Sequence, residues 1–75
     1  MGKAGSVLKE VLDDYDISQT QLAGKLNIGR SNVYRWVNEV RDPNSETVID
    51  IIRVLKKLNS EVARIFVEKY VLDEL

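Results

Sequence analysis

Residues 17–36 read Ile17-Ser-Gln-Thr-Gln-Leu-Ala-Gly-Lys-Leu-Asn-Ile-Gly-Arg-Ser-Asn-Val-Tyr-Arg-Trp36. Apolar residues recur here at helical spacing on both sides of a three-residue break, Asn27–Ile28–Gly29. Ser18 is a good N-cap for the first segment, whose inner side carries Leu22, Ala23 and Leu26. The second segment runs from about Arg30 to Asn38, with Val33, Trp36 and Val37 at i, i+3, i+4. Asparagine tolerates the left-handed conformation that ends a helix, and Gly29 can start the next one. Two short helices joined this way must each bury one side. Leu22 and Leu26 face inward, Ile28 plugs the turn, Val33 and Trp36 anchor the second helix, and Ala23 stays small where the helices cross.

Working outward, Leu8, Val11, Leu12 and Tyr15 fall at i, i+3, i+4, i+7 and predict a preceding helix from about Ser6, with Ser6 as its N-cap. The small, polar start over residues 1–5 is expected to be flexible. Asp13, Asp14 and Asp16 crowd the end of that helix, the wrong sign for its dipole, so packing must hold it. Downstream, Asp42–Pro43–Asn44 closes a loop, and Asn44 or Ser45 caps a fourth helix with Val48, Ile51, Ile52, Leu55 and Leu58 as its buried stripe. Asn59–Ser60 breaks that pattern, and a fifth helix runs from about Glu61 toward the C-terminus. Nothing reads as a strand. The fold class is all-α, one five-helix domain over residues 1–75.

Composition removes most chemistry. The 75 residues are 44% apolar, ordinary for a globular chain, with no run long enough to span a bilayer and no signal peptide, so a cytoplasmic protein is expected. There is no cysteine and no histidine, which excludes disulfides, the usual zinc ligands and histidine-assisted nucleophilic catalysis. No enzyme, cofactor, metal or small-molecule ligand is therefore expected. The Asp13/Asp14/Asp16 cluster lacks the loop glycine and bidentate glutamate of a calcium site and reads as surface. The net charge of −1 offers nucleic acid no general attraction, but it is unevenly spread. Residues 19–41 carry +3, while residues 1–18 and 42–75 carry −2 each.

The "Ser-Gln-x-x-Leu-Ala" opening at Ser18 and the "Ile-x-x-Ser-x-Val-x-x-Trp" continuation from Ile28 to Trp36 make residues 17–36 resemble the Cro/phage-repressor (XRE-like) helix-turn-helix family. The likeness extends from about Leu8 to Leu58 and implies a lambda-repressor-like domain with its helix-turn-helix at helices 2 and 3. Five positions depart from the family pattern. Asn27 replaces a common turn glycine, and Gly24 lies inside a helix. Glu39 stands where glycine is common, which predicts a turn of different shape. Leu12 and Val37 stand where many members carry an internal arginine–glutamate pair. Exchanging both halves of a buried pair for apolar residues is energetically coherent, and it predicts that Leu12 and Val37 meet in the core.

With Val33, Trp36 and Val37 assigned inward, the outward face of the second helix of the motif is Arg30, Ser31, Asn32, Tyr34 and Arg35, ending at Asn38. Arginine can pair with guanine and asparagine with adenine in the major groove of double-stranded DNA. The resemblance implies base contacts by Arg30, Ser31 and Arg35, a phosphate grip by Gln19, and further phosphate contacts by Asn38 and Arg41. Trp36 reads as a core anchor rather than a base-stacking residue. On the last helix, Ala63, Phe66, Val67, Tyr70 and Val71 make an apolar surface wider than one core-facing stripe and form a candidate homodimer interface. The bland alternative is a simple lid, for which Val62, Phe66 and Tyr70 suffice. These features describe a homodimeric transcriptional regulator on a near-palindromic operator. The competing class is a protein-interaction module, such as an antitoxin or accessory regulator, whose apolar last helix binds another protein.

Overall fold

The computed structural model describes residues 3–75. Its helices are α1 (Lys3–Asp14), α2 (Gln19–Leu26), α3 (Arg30–Val37), α4 (Ser45–Leu58) and α5 (Ser60–Tyr70), followed by a 3₁₀ turn at Leu72–Glu74. Among the described residues there is no strand. Among these residues no helix is long and apolar enough to cross a membrane.

The helix starts follow local chemistry. Ser18 Oγ accepts from the Gln21 amide, Asn44 Oδ1 from the Thr47 amide and Asn59 Oδ1 from the Glu61 amide. Each satisfies one of the donors that a helix N-terminus leaves unpaired. Asn59 thus both closes α4 and opens α5. The ends of α1, α2 and α3 share another device. Asp16, Asn27 and Glu39 adopt φ of 58°, 61° and 60°. The following amides of Ile17, Ile28 and Val40 then reach back to the carbonyls of Leu12, Ala23 and Arg35. This is the Schellman ending, normally built with glycine. Glu39 therefore does not change the shape of its turn as its departure from glycine predicts; the backbone takes the left-handed form with a side chain present.

Three expectations for α1 are corrected. It begins at Lys3, not Ser6, and Ser6 is an exposed position inside it. Lys3–Gly5 are helical rather than flexible, with Ala4 and Gly5 buried; the remainder of that expectation falls on Met1 and Gly2, outside the described residues. Tyr15 lies beyond the helix and is exposed. The cause of the early start is tertiary. A Cβ placed on Gly5 would lie 2.0 Å from the Trp36 carbonyl oxygen, so the first turn of α1 is pressed against the last turn of α3. Only a residue without a side chain permits that approach.

The core joins all five helices. It contains Leu8, Val11 and Leu12 of α1, Leu22 and Ala23 of α2, Val33, Trp36 and Val37 of α3, Val48, Ile51 and Leu55 of α4, and Val62, Ala63 and Phe66 of α5. Leu12 and Val37 are both buried on the facing helices α1 and α3, as two apolar replacements for a buried ion pair require. Ile28 does not plug the turn: it follows the left-handed Asn27 and stands 37% exposed. Ile52 and Leu58 sit at the edge of the core instead of inside it. Lys69 pairs with Glu10, and Lys3 with Glu74, fastening α5 and the C-terminal turn to α1. Hydrogen bonding to Glu10 raises the Lys69 pKa above the ordinary lysine range, and hydrogen bonding to Lys3 lowers that of Glu74. Both pairs are exposed and contribute little to stability.

Two helical glycines make a direct check of this packing. Gly24 faces open space, with nothing within 4 Å of an added Cβ, so Gly24→Ala is expected to stabilise the fold by about 1 kcal/mol. Gly5→Ala forces α1 off α3 and is expected to destabilise by roughly 2–3 kcal/mol. Chemical denaturation of the two variants should move the midpoint in opposite directions.

Candidate nucleic-acid interface

The motif packs as two eight-residue helices that share the core through Leu22, Ala23, Val33, Trp36 and Val37. Burial of these side chains determines which side of α3 remains outside. Arg30, Ser31, Tyr34 and Arg35 are exposed on it, with Tyr34 at 57%. Trp36 is 6% exposed and is a core anchor, not a stacking platform. Val33, fully buried, anchors the other turn.

The two asparagines of this face are partly committed to the backbone. Asn32 is half-buried, and its Nδ2 donates to the Gly29 carbonyl at 3.3 Å. Asn38 Nδ2 donates to the Tyr34 carbonyl at 2.8 Å, sealing the end of α3. Both bonds fix side-chain orientation while leaving each amide oxygen directed elsewhere. Arg41 is exposed just past the left-handed turn, and its amide bonds to the Arg35 carbonyl at 3.3 Å.

A groove runs between α1 and the motif. Gln19 and Thr20 from the start of α2, Arg30 and Tyr34 from α3, and Lys9 from α1 all line it. Gln19, Arg30 and Tyr34 are thus brought together as neighbours, whereas Ser31, Arg35, Asn38 and Arg41 continue along α3 beyond the groove. Lys9 and Thr20 were not singled out by the sequence. Thr20 is next to the N-cap and therefore locatable, but the place of Lys9 depends on how α1 crosses α3, which no local pattern encodes.

The charges at helix ends divide the molecule in two. α4 and α5 begin with Glu46 and Glu61 and end with Lys56–Lys57 and Lys69, each complementing the helix dipole. α2 and α3 have no acidic residue in their first turns, and α3 places Arg30 there, against its own dipole. The first turns of both motif helices thus carry no carboxylate of their own, although Asp13 of α1 lines the groove beside them. Three half-buried or exposed hydroxyl and amide side chains (Ser18, Gln19 and Thr20) adjoin the α2 end.

The candidate dimer residues are distributed differently from the expectation. Ala63 and Phe66 are buried in the chain's own core, at 5% and 0% exposure, and are removed from the candidate interface. They lie on the stripe of α5 that packs against α1 and α4. Val67 and Tyr70 are half-buried, with Tyr70 stacked on Phe66 at a ring separation of 5.7 Å, and Val71 is exposed.

A helix-turn-helix family model matches residues 8–59, more than half of the chain and both helices of the motif. No match is found among curated proteins or among solved structures. A buried apolar seam at the family's spacing, an exposed polar face on α3 and a match spanning α2 through α4 agree on one assignment. The chain belongs to the helix-turn-helix family of Cro/repressor-like DNA-binding domains.

Proposed function

We propose that this protein is a sequence-specific transcriptional regulator that places α3 in the major groove of double-stranded DNA and acts as a homodimer on a near-palindromic operator. The observation that carries the reading is the division of α3 into a buried seam, Val33, Trp36 and Val37, and an exposed face of Arg30, Ser31, Tyr34 and Arg35. Arg30, Ser31 and Arg35 read base edges, with Asn32 and Tyr34 supporting them. Gln19, Asn38 and Arg41 grip phosphates on either side, and Lys9 adds a contact from α1. With a net charge of +3 confined to residues 19–41, few phosphates are neutralised per protomer. Discrimination then depends more on base contacts than on bulk electrostatics.

The dimer reading is supported by a groove between α4 and α5 lined by Ile52, Lys56, Arg64, Val67, Glu68 and Leu72. A two-fold interface must be self-complementary. Arg64 and Glu68 lie four residues apart on α5. An antiparallel pairing of two α5 helices sets each Arg64 opposite the other chain's Glu68, with Val67 and Leu72 supplying apolar contact. A second copy satisfies both the charges and the apolar floor.

Selection from random duplexes should return a preferred sequence. Arg30→Ala or Arg35→Ala should then cost roughly 1–3 kcal/mol and relax preference at one position of it. Unchanged binding by both variants would refute the assigned face. Sedimentation over a range of concentrations should show self-association above the 8.6 kDa monomer. A species that stays at 8.6 kDa at high concentration rules the dimer out.

A further inference from the structure

The turn that follows α3 is anchored at two places. On the α3 side, the Glu39 amide bonds to the Trp36 carbonyl at 3.1 Å, and the Val40 and Arg41 amides bond to the Arg35 carbonyl at 2.9 and 3.3 Å. On the other side, Asp42 Oδ1 accepts the Gly5 amide of α1 at 3.1 Å. Gly5 lies in the first turn of α1, where amides have no intrahelical partner. That first turn has no acidic residue of its own. Asp42 supplies from 37 residues away both the hydrogen-bond acceptor and the negative charge that this helix end requires. The same glycine presses on the Trp36 carbonyl, so α1, the end of α3 and the turn meet at one point.

We propose that Asp42 is a positioning residue for DNA binding: by latching onto Gly5 of α1 it fixes the 38–41 turn, and with it Arg41, relative to the recognition helix. The proposal rests on the DNA-binding reading above. A carboxylate next to Arg41 repels phosphate unless its charge is directed elsewhere, and here it is directed into the positive end of α1. Glu39 in the left-handed region is held by its surroundings, and the Asp42–Gly5 hydrogen bond is part of them.

Asp42→Ala and Asp42→Asn separate the possibilities, because asparagine keeps an acceptor while losing the charge. Amide hydrogen exchange of the free protein reads the latch without DNA. Asp42→Ala should speed exchange at Val40 and Arg41 selectively, and Asp42→Asn should restore most of the protection. On the selected duplex, Asp42→Ala should weaken binding about tenfold and reduce the salt slope by about one while leaving base preference intact. Two results would overturn the proposal. Tighter binding by both variants would mean that Asp42 is only a like charge near phosphate. Lower thermal stability with unchanged exchange at Val40 and Arg41 and an unchanged salt slope would mean that Asp42 is only a helix cap. Absence of any DNA binding by the wild type would instead refute the functional reading, and the exchange data would still judge the latch.

Discussion

An eight-residue helix has almost no stability of its own in water, so α3 persists only because its inner side is buried. Val33, Trp36 and Val37 provide that burial. Burying a large aromatic side chain typically stabilises by about 3–5 kcal/mol, against about 1 kcal/mol for a good cap. Packing therefore decides where α3 lies, and its single face of exposed polar residues is the consequence. The constraint passes on to α1, which must come close enough to the Trp36 carbonyl that only glycine fits at position 5. It passes also to the turn after α3, whose backbone holds the Trp36 and Arg35 carbonyls.

The electrostatics follow the same division of labour. The supporting helices α4 and α5 have charges that stabilise their own dipoles. The motif helices carry such charges only at their ends, Lys25 and Arg35, and keep their first turns free of carboxylates. A near-neutral chain can thus concentrate +3 in residues 19–41, balanced by −2 on either side in sequence. Such a distribution is suited to a partner whose sequence matters rather than to any polyanion.

Much of this was legible in the sequence because it is local. Ser18 and Asn44 announce helix starts by side-chain chemistry, and Asn27 announces a helix end. The spacing of Leu22, Ala23, Val33 and Trp36 identifies the buried seam. The illegible parts depend on contacts between distant segments. Residues 3–5 look like a loose, polar start until α3 is seen against Gly5, although Ala4 lies in helical register with Val7, Leu8 and Val11 and could have extended the helix backward. Phe66 and Ala63 lie within a wide apolar surface of α5, and only the positions of α1 and α4 tell which stripe is core. Glu39 shows the limit of a residue-type argument, since the surrounding hydrogen bonds impose a conformation that the side chain disfavours.

The proposed DNA-binding surface is the outward face of α3, set by its buried seam. Amide chemical-shift mapping during titration with the selected duplex tests it most directly. The largest shifts are expected at Gln19, Arg30, Ser31, Tyr34, Arg35 and Arg41, with Val62 and Phe66 of α5 unmoved. Shifts concentrated on α4 and α5 while α3 stays silent would contradict it.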